Sequence, residues 1–485
     1  MKKDDVFYQA MLARDYRFDG KFFVGVKTTG IYCRPICPAK PKRENVEFFS
    51  SAHKAEHAGY RPCLRCRPEA APLSPAWYGT SSVVQRALKI IANKGPILLS
   101  EDKFAEQFGV SARHLRRLFE EEIGQTPKQL SDITRLNFAR KLLVETKLPI
   151  VTVAMTAGFA SLRRFNDAFK KRFHKSPSQV RRKENSSANE NGVTLSLSYR
   201  PPYDWETLLG YYRRHCIWGL EKVTETTYER IFRFDVTVGV LQVSVEPEKS
   251  SLLVQIHCSD VKCLLPVIQK VRQMFDLDSD PLLIANSFST DRHLDQLWKK
   301  YPGLRIPKAW DSFEATITTV LGQLVSVEQA TRLVGQLVKG YGEKVVHPLT
   351  QEEAYLFPTA EVLSKASLKE VSTTEKRKKT IREIAKLVHL EKLILSSEQD
   401  PEEFRKNLLA VPGIGPWSTE YTALRALGDT DSFPHTDLVL KKALDTYPKI
   451  NLDDVRPWRS YVAFYLWKDF MANQASSKPQ KKVKK

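Results

Sequence analysis

The chain has 485 residues, too many for one compact core, and its hydrophobic content of 42% is typical of folded soluble domains. A net charge of +20 and a pI of about 9.5 predict a polyanionic partner, most simply nucleic acid. A basic membrane-surface protein is the alternative. No separate basic amphipathic anchor supports it, and no stretch approaches the roughly 20 apolar residues of a membrane span.

The cysteines indicate a reducing compartment. Their number, seven, is odd, and four of them stand in two close pairs, which fits a metal site better than a disulfide scaffold. The start, "MKKDDVFYQA", lacks the apolar run of a secretory signal. Cys216, Cys258 and Cys263 are interpreted as ordinary buried thiols.

The composition divides the chain into successive segments. Residues 1–75 are Cys-rich and basic, and residues 82–183 have the periodicity of helices. The polar, Asn/Ser-rich stretch 184–192 is predicted to be a linker. Residues 193–474 form a third folded part, divided near residue 285, and the basic tail 475–485 is predicted to be solvated.

Two cysteine pairs in the first segment predict a zinc site. "CRPIC" contains Cys33 and Cys37, and "CLRC" contains Cys63 and Cys66. Zinc prefers four soft ligands in a tetrahedral array, which paired cysteines on tight loops supply. His53 and His57, four residues apart, are alternative ligands, but both cysteine pairs are complete without them. From spacing alone, a closed structural site remains the alternative to a reactive one.

The surrounding residues favour a reactive site. "FVGVKTTGIYCRPICPAK", "RENVEFF" and "GYRPCLRCRP" resemble the N-terminal domain of the Ada family, which repairs methyl phosphotriesters in DNA and regulates the response to alkylation. The resemblance implies that Cys33 is both a zinc ligand and the methyl acceptor. One zinc ion would then hold the fold and keep the thiolate reactive. Arg34, Lys40, Lys42 and Arg43 are candidates for contacts with neighbouring phosphates.

The second segment contains one pattern twice, about fifty residues apart. In "SEDKFAEQFGVSARHLRRLFEEEIGQTP" and "LPIVTVAMTAGFASLRRFNDAFKKRFHKSPSQ", a short apolar helix, a glycine turn and a basic second helix follow one another. A helical bundle with a solvated basic face is the alternative for either copy alone. The segment resembles the AraC-type DNA-binding domain. Candidate DNA contacts on the second helices are Arg113, Arg116, Arg163 and Arg164.

The third part contains a hairpin that could approach DNA. In "AVPGIGPW", Gly413 and Gly415 allow a tight turn between two helices, the first of which Asp400 could cap. About twenty residues further, "DSFPHTDLVLKKAL" places Asp437 before an apolar-patterned helix. Hairpin and aspartate together resemble the helix-hairpin-helix signature of base-excision DNA glycosylases. A simple helix cap is the alternative role for Asp437.

Further runs, including "LSYRPPYDWETLLGYY", "SFEATITTVLGQLVSVEQA" and "RPWRSYVAFYLW", resemble the AlkA family of 3-methyladenine-DNA glycosylases. This family flips the damaged nucleotide into an aromatic cleft, where electron-rich rings favour a cationic purine. The resemblance implies that Asp437 is catalytic and that Leu324 fills the gap in the base stack. It implies an aromatic pocket of Tyr211, Trp417, Tyr421 and Trp458. Each aromatic residue alone is more often part of a core.

We therefore predict a multidomain α+β protein. It comprises a small zinc-bound α/β domain, an all-α double helix-turn-helix, and a glycosylase with an N-terminal β-sheet subdomain and an α-helical helix-hairpin-helix subdomain. Trp417 stands where lyase-type relatives carry lysine, so base excision is expected to be monofunctional and to need no cofactor. The alternative is a transcription regulator with a degenerate glycosylase-like sensor.

The expected partners are double-stranded DNA, both methylated DNA and promoter DNA, and RNA polymerase, with no membrane. We expect a monomer in the bacterial cytoplasm, associated with the nucleoid.

Overall fold

The computed structural model describes residues 3–14, 18, 22–50, 52–63, 66, 68, 82–94, 100–181, 192–395 and 401–477. The predicted linker up to residue 191, the tail from residue 478 and the predicted helix cap Asp400 lie outside these residues.

Two compact units make up the chain. The first contains Met1–Arg200, Glu246–Arg272 and Leu277–Asp280, and the second contains Pro201–Val245, Gln273–Asp276 and Pro281–Lys485. The predicted boundary near residue 193 does not separate these units, because β5 (Val193–Ser198) pairs with a later strand, Ser251–His257, inside the first unit. The finer division into six segments stays a prediction.

The cysteine-rich segment forms a small α/β layer. Its elements are α1 (Lys3–Leu12), β1 (Phe23–Val26), β2 (Ile31–Cys33), β3 (Val46–Phe49), α2 (Ala52–His57) and β4 (Arg61–Pro62). The strand order is β3–β1–β2–β4, antiparallel except for the parallel pair β2–β4. That parallel pair brings the ends of two distant strands together.

All four residues of β1 are buried. Since successive side chains point to opposite sides of a sheet, both faces of this strand are covered. Phe23 packs with Tyr32 and Tyr60 in one apolar cluster, whereas Val24 packs in another. Gly25 is required between them, since a Cβ there would lie 2.6 Å from the ring of Phe49. The sheet is therefore the core of the segment.

The helical segment contains seven described helices. They are α3 (Ser82–Lys94), α4 (Glu101–Glu106), α5 (Ala112–Ile123), α6 (Pro127–Glu145), α7 (Ile150–Thr156), α8 (Leu162–Phe173) and α9 (Pro177–Val180). The pairs α4–α5 and α7–α8 are the two predicted helix-turn-helix copies. Gly109 and Gly158, with φ of 67° and 79°, form the turns between their helices.

The two copies share their capping chemistry. Ser111 and Ser161 accept a backbone N–H at the start of α5 and α8. Each copy is followed by a capping box with proline at the first helical position: Thr126 with Gln129 before α6, and Ser176 with Gln179 before α9. The repeated sequence pattern therefore corresponds to a repeated local structure.

The rest of the chain is mixed. Its strands are β5, β6 (Glu221–Val223), β7 (Thr227–Phe234), β8 (Thr237–Glu246), β9 (Ser251–His257), β10 (Glu343–Val346) and β11 (Glu353–Leu356). Its helices are α10 (Trp205–Arg214), α11 (Leu264–Met274), α12 (Pro281–Phe288), α13 (Arg292–Lys300), α14 (Ser312–Leu321), α15 (Val327–Tyr341), α16 (Ala360–Lys365), α17 (Glu375–His389), α18 (Pro401–Leu409), α19 (Pro416–Thr422), α20 (Leu438–Thr446) and α21 (Arg459–Ser477).

In the first unit, β5 and β9 form an antiparallel pair with Val193 opposite Ile256. In the second unit, β6, β7 and β8 are consecutive antiparallel neighbours, and β10 pairs with β11. A π-helical stretch, Ala423–Leu427, continues α19. The predicted α+β class and its helix-hairpin-helix part, α18–α19, are confirmed.

The second unit has two apolar clusters. One is built on α14, α15 and α17 and includes Ile317, Leu337 and Ile384. The other is built on α13, α20 and α21 and includes Leu297 and Tyr465. Across the residues that the structure describes, no helix combines the length and apolar character needed to cross a bilayer.

Candidate functional sites

Four cysteines come together at the end of the parallel strand pair. Cys33 ends β2, and the backbone N–H of Cys63, just after β4, donates to the carbonyl of Tyr32 at 3.0 Å. A turn brings in Cys37, whose N–H donates to the carbonyl of Arg34 at 3.0 Å. The sulfurs of these three residues and Cys66 all lie within 4.8 Å of one another.

This arrangement fits zinc. Four Zn–S bonds of about 2.3 Å in a tetrahedron place sulfurs roughly 3.8 Å apart, a separation the cluster can adopt with small shifts. Among the described residues, the metal-type cluster holds the four cysteines and no histidine. His57 is exposed at the end of α2, and the structure does not describe the side chain of His53. The geometry therefore supports the all-cysteine ligand set.

The four thiols interact strongly. Hydrogen bonding with Cys37 raises the pKa of Cys33, and the same contact lowers the pKa of Cys37 to about 7. The backbone N–H of Arg34 also donates to the sulfur of Cys66 at 3.3 Å. Because a metal binds the deprotonated sulfurs, binding must release the protons that these thiols share.

Substituting one ligand tests the metal site. We expect Cys66→Ala to lose the single zinc bound per chain and to expose residues 3–68 to protease, because structural zinc supplies folding free energy to small domains. Zinc content and limited proteolysis of the full chain measure both effects. Cys258→Ala, outside the cluster, is the matched control. Full zinc content in Cys66→Ala would rule out this ligand set.

A cavity of about 340 Å³ opens beside the cluster, and its lining includes Cys37, Cys63, Arg61 and Arg140. Arg140 belongs to α6, so a helix of the second segment borders the cysteine site. Cys33, the predicted methyl acceptor, is buried and does not line this cavity.

The predicted phosphate contacts of this segment differ in exposure. Arg34 is only 6% exposed, so its contact with a phosphate stays a prediction that requires its side chain to become exposed on DNA binding. Arg43 is exposed, but its guanidinium lies over the rings of Tyr8 and Phe48 and 3.6 Å from Asp5. Lys40 and Lys42 are exposed.

The second helices of both helix-turn-helix copies present basic residues to solvent. In α8, Phe165, Phe169 and Phe173 are buried, while Arg163 and Arg164 are exposed. In α5, Arg113 and Arg116 are exposed, and Arg116 forms an ion pair with Glu101. The basic side chains therefore lie off the apolar face, as predicted.

An ion pair joins the second copy to the cysteine segment. Arg172 of α8 lies 3.4 Å from Glu56 of α2, and both side chains are largely buried. The hydroxyl of Tyr32, next to Cys33 in the chain, donates to the same carboxylate at 3.0 Å. Glu56 thus contacts both the strand that carries Cys33 and the basic helix α8.

In the second unit, Asp437 is both a helix cap and the centre of an aromatic group. Its Oδ1 accepts the backbone N–H groups of Val439 and Leu440, each at 2.9 Å, at the start of α20. The indole N–H of Trp417 donates to Oδ2 at 2.9 Å, and that of Trp467 donates to Oδ1 at 3.2 Å. All four groups that donate to this carboxylate are neutral, and the side chain of Asp437 is half-buried.

The aromatic group differs from the prediction at one position. Trp417 stacks on Tyr421 at 5.1 Å, and Trp467 meets Tyr421 edge-on at 6.2 Å. Trp458 instead lies in the α13–α20–α21 core, edge-on to Tyr461. Trp467 therefore occupies the position in the aromatic group that the sequence analysis assigned to Trp458. Trp458 precedes α21, whereas Trp467 lies within that helix on the side of Asp437.

The half-buried guanidinium of Arg425 lies beside the predicted pocket. The hydroxyls of Tyr211 and Tyr421 are 2.8 Å apart, and the guanidinium of Arg425 donates to both. Burial raises the pKa of Tyr211, and burial together with Arg425 lowers the pKa of His215, stacked on Tyr211, to about 4. The π-helical stretch that carries Arg425 turns it toward these rings.

The hairpin is hydrogen-bonded to the loop that carries Leu324, since Nε2 of Gln323 donates to the carbonyl of Gly413 at 3.1 Å. Gly413 has a φ of 93°, and a Cβ there would lie 2.0 Å from Oγ1 of Thr380, so only glycine fits. A Cβ at Gly415 would meet open space, which leaves this end of the hairpin accessible. Leu324 is 96% exposed with a φ of 55°. An apolar side chain so fully exposed is consistent with its predicted role in the base stack.

The remaining cysteines are less buried than predicted. Cys263 is buried, whereas Cys216 and Cys258 are half-buried. Burial raises the pKa of Cys216 to about 12, so it stays a protonated thiol.

Three family descriptions match successive parts of the chain. They are "Metal binding domain of Ada" over residues 6–69, "Helix-turn-helix domain" over residues 104–183 and "AlkA N-terminal domain" over residues 194–311. They follow the order of the three resemblances.

Comparisons with individual proteins indicate the same families. The chain is 34% identical over 490 residues to a probable bifunctional transcriptional activator/DNA repair enzyme AlkA of Mycobacterium tuberculosis, covering 98% of each chain. It is 28% identical to DNA-3-methyladenine glycosylase 2 of Escherichia coli, covering 56% of this chain and 96% of that protein. A 3-methyladenine DNA glycosylase structure from Archaeoglobus fulgidus shares the fold, with a TM-score of 0.50, 22% identity and coverage of 58% of this chain and 99% of that one.

Proposed function

This chain belongs to the family of bifunctional transcriptional activators and DNA repair enzymes, and from that premise we propose that it combines three activities on alkylated DNA. It accepts methyl groups from DNA methylphosphotriesters, binds promoter DNA as a regulator, and releases alkylated purines such as 3-methyladenine. It acts as a monomer with RNA polymerase as a further partner, in the cytoplasm near the nucleoid.

The cysteine cluster is the site of methyl transfer. Cys33, Cys37, Cys63 and Cys66 would hold a zinc ion, which would keep the accepting sulfur deprotonated. The Cys33 thiolate attacks the methyl carbon, an S–C bond forms, the C–O bond breaks, and the phosphodiester leaves with the electron pair. The product is a thioether with no easy route back, so each chain reacts once.

Base excision takes place in the second unit. Breaking the glycosidic bond leaves an oxocarbenium-like sugar, which the nearby carboxylate of Asp437 stabilises. The indole N–H groups of Trp417 and Trp467 fix its orientation. Water attacks the sugar, and no metal is needed. Because an indole cannot form a Schiff base, Trp417 gives no lyase activity.

The single observation that carries the excision proposal is the carboxylate of Asp437 held by two indoles that belong to the aromatic group. The test incubates the full chain with methylated duplex DNA, measures released bases by mass spectrometry, and counts strand breaks before alkali treatment. We expect 3-methyladenine release without strand breaks. Borohydride trapping of a protein–DNA adduct would contradict the monofunctional mechanism.

A regulator with a degenerate glycosylase-like sensor is the second candidate. The exposed basic helices α5 and α8 are compatible with such a regulator. A regulator that does not excise bases, however, would not need the arrangement of indoles around Asp437. Absence of base release from the intact chain, with DNA binding preserved, would favour this candidate.

Methylation is expected to strengthen DNA binding by residues 1–183 within the full chain. Adding a methyl group to Cys33 removes a negative charge close to DNA, and the Tyr32–Glu56–Arg172 contacts connect that strand to α8. We expect an affinity gain of about fivefold or more, the lower end of typical coupling between sites, which shrinks as salt screens the charge.

Fluorescence anisotropy with promoter DNA before and after methylation measures the gain. The wild-type chain incubated with unmethylated DNA is the control and should show none. Equal affinities of the methylated and unmethylated chains would reject the switch, though not the fold.

A further inference from the structure

The exposed Leu324 is held in place by its neighbour in the chain. Leu324 lies in the loop between α14 and α15, in a left-handed backbone conformation that a leucine rarely adopts. Its side chain makes no buried packing contact that could hold it there, since it is almost fully exposed. The restraint must therefore come from the adjacent residues.

Gln323 supplies that restraint through both its side chain and its backbone. Its Nε2 donates to the carbonyl of Gly413 at 3.1 Å and to Oγ of Ser418 at 2.9 Å. Its backbone carbonyl accepts a hydrogen bond from Nη2 of Arg377, near the start of α17. The residue before Leu324 is thus bonded both to the hairpin and to α17.

The same helix also contacts the hairpin directly. Thr380, one turn after Arg377, donates from Oγ1 to the carbonyl of Pro412 at 3.0 Å and lies against Gly413. The loop, the hairpin and α17 are therefore each hydrogen-bonded to the other two.

We propose that Gln323 and Arg377 are positioning residues that couple Leu324 to the hairpin, so that filling the base stack and holding the DNA backbone occur together. This inference rests on the proposed base excision. The charged donor Arg377 holds the carbonyl of Gln323 in place and so maintains the left-handed conformation at Leu324. When this hydrogen bond is lost, the loop relaxes and Leu324 no longer enters the base stack of the DNA.

The test compares Arg377→Met, Leu324→Ala and the double variant in single-turnover excision from methylated duplex DNA. We expect a loss of about tenfold or more for each single variant, because misplacing a positioned group by about 1 Å can cost much of a rate. The double variant should be no slower than the slower single variant, since residues acting through one another are not additive. Multiplying losses would overturn the proposal.

Matched variants separate positioning from general stability. Arg382→Met removes another arginine of α17, which donates to the carbonyl of Ser367 at 3.3 Å, and should leave the rate unchanged. Arg377→Lys, which keeps a charged donor, should restore part of the rate. A loss in Arg382→Met equal to that in Arg377→Met would indicate a structural effect of the helix and contradict the inference.

A second readout is independent of base release. 2-Aminopurine placed beside the lesion brightens when the stack opens, and this can be followed in the Asp437→Asn background. We expect Arg377→Met to lose most of the signal and Arg382→Met to keep it. An unchanged signal in Arg377→Met overturns the inference, whereas base release absent from the wild-type chain with this pattern intact would overturn only the proposed excision.

Discussion

Asp437→Asn is expected to slow base release at least about a hundredfold, or roughly 2.7 kcal/mol at the transition state. Asparagine keeps an oxygen to cap α20, so little stability should be lost. It removes the charge that stabilises the sugar, and its amide group turns an N–H donor toward the indole N–H of Trp417. Loss of charge and of orientation therefore act together.

Single-turnover excision and DNA affinity, measured on the same preparation, check this expectation. Trp417→Phe is the matched variant, because it removes the indole donor but leaves the charge of Asp437. It should fall between the wild-type chain and Asp437→Asn in rate. A fully active Asp437→Asn enzyme would reject the catalytic role and leave only the capping role.

Cys33→Ala is expected to abolish methyl uptake from methylated DNA. The wild-type chain should take up one methyl group, on Cys33 alone, as measured by mass spectrometry of its peptides. Cys216→Ala, which removes a thiol far along the chain from the cluster, should take up methyl normally. The effect is all-or-none because the sulfur itself is consumed.

The identity of the methylated cysteine tests the assignment of Cys33 as the acceptor. The cavity beside the cluster is lined by Cys37 and Cys63, whereas Cys33 is buried. DNA binding must therefore expose Cys33 if it is the acceptor. A methyl group found on Cys63, or on none of the four cysteines, would contradict the assignment.

Local sequence signals determined much of the fold. The serines before α5 and α8 and the two Pro-containing capping boxes are short-range patterns, and they produced the helices that they predict. The resemblances to the Ada, AraC-type and AlkA families are confirmed, and so is the α+β class. Cysteine spacing likewise indicated a cluster that the parallel pair β2–β4 assembles.

Features that depend on side-chain direction or on long-range packing were missed. Trp458 and Trp467 occur in one quoted run, and only the direction of α21 shows that Trp467 faces Asp437. Arg34 lies between cysteines in a basic run, and only the packed structure shows that it is buried. Arg377 is fifty-four residues from Gln323, and no local pattern links them.

The guanidinium of Arg425 has a consequence for substrate discrimination. It is half-buried and lies 4.8 Å from the ring centre of Tyr211 and 5.9 Å from that of Tyr421, so these two rings already interact with a cation. A positively charged purine therefore meets like-charge repulsion on this side of the aromatic group. Its attraction must come from the indoles of Trp417 and Trp467 and from the carboxylate between them. We therefore expect any preference for charged over neutral bases to depend on the balance between the guanidinium of Arg425 and the carboxylate of Asp437, and not on the aromatic faces alone.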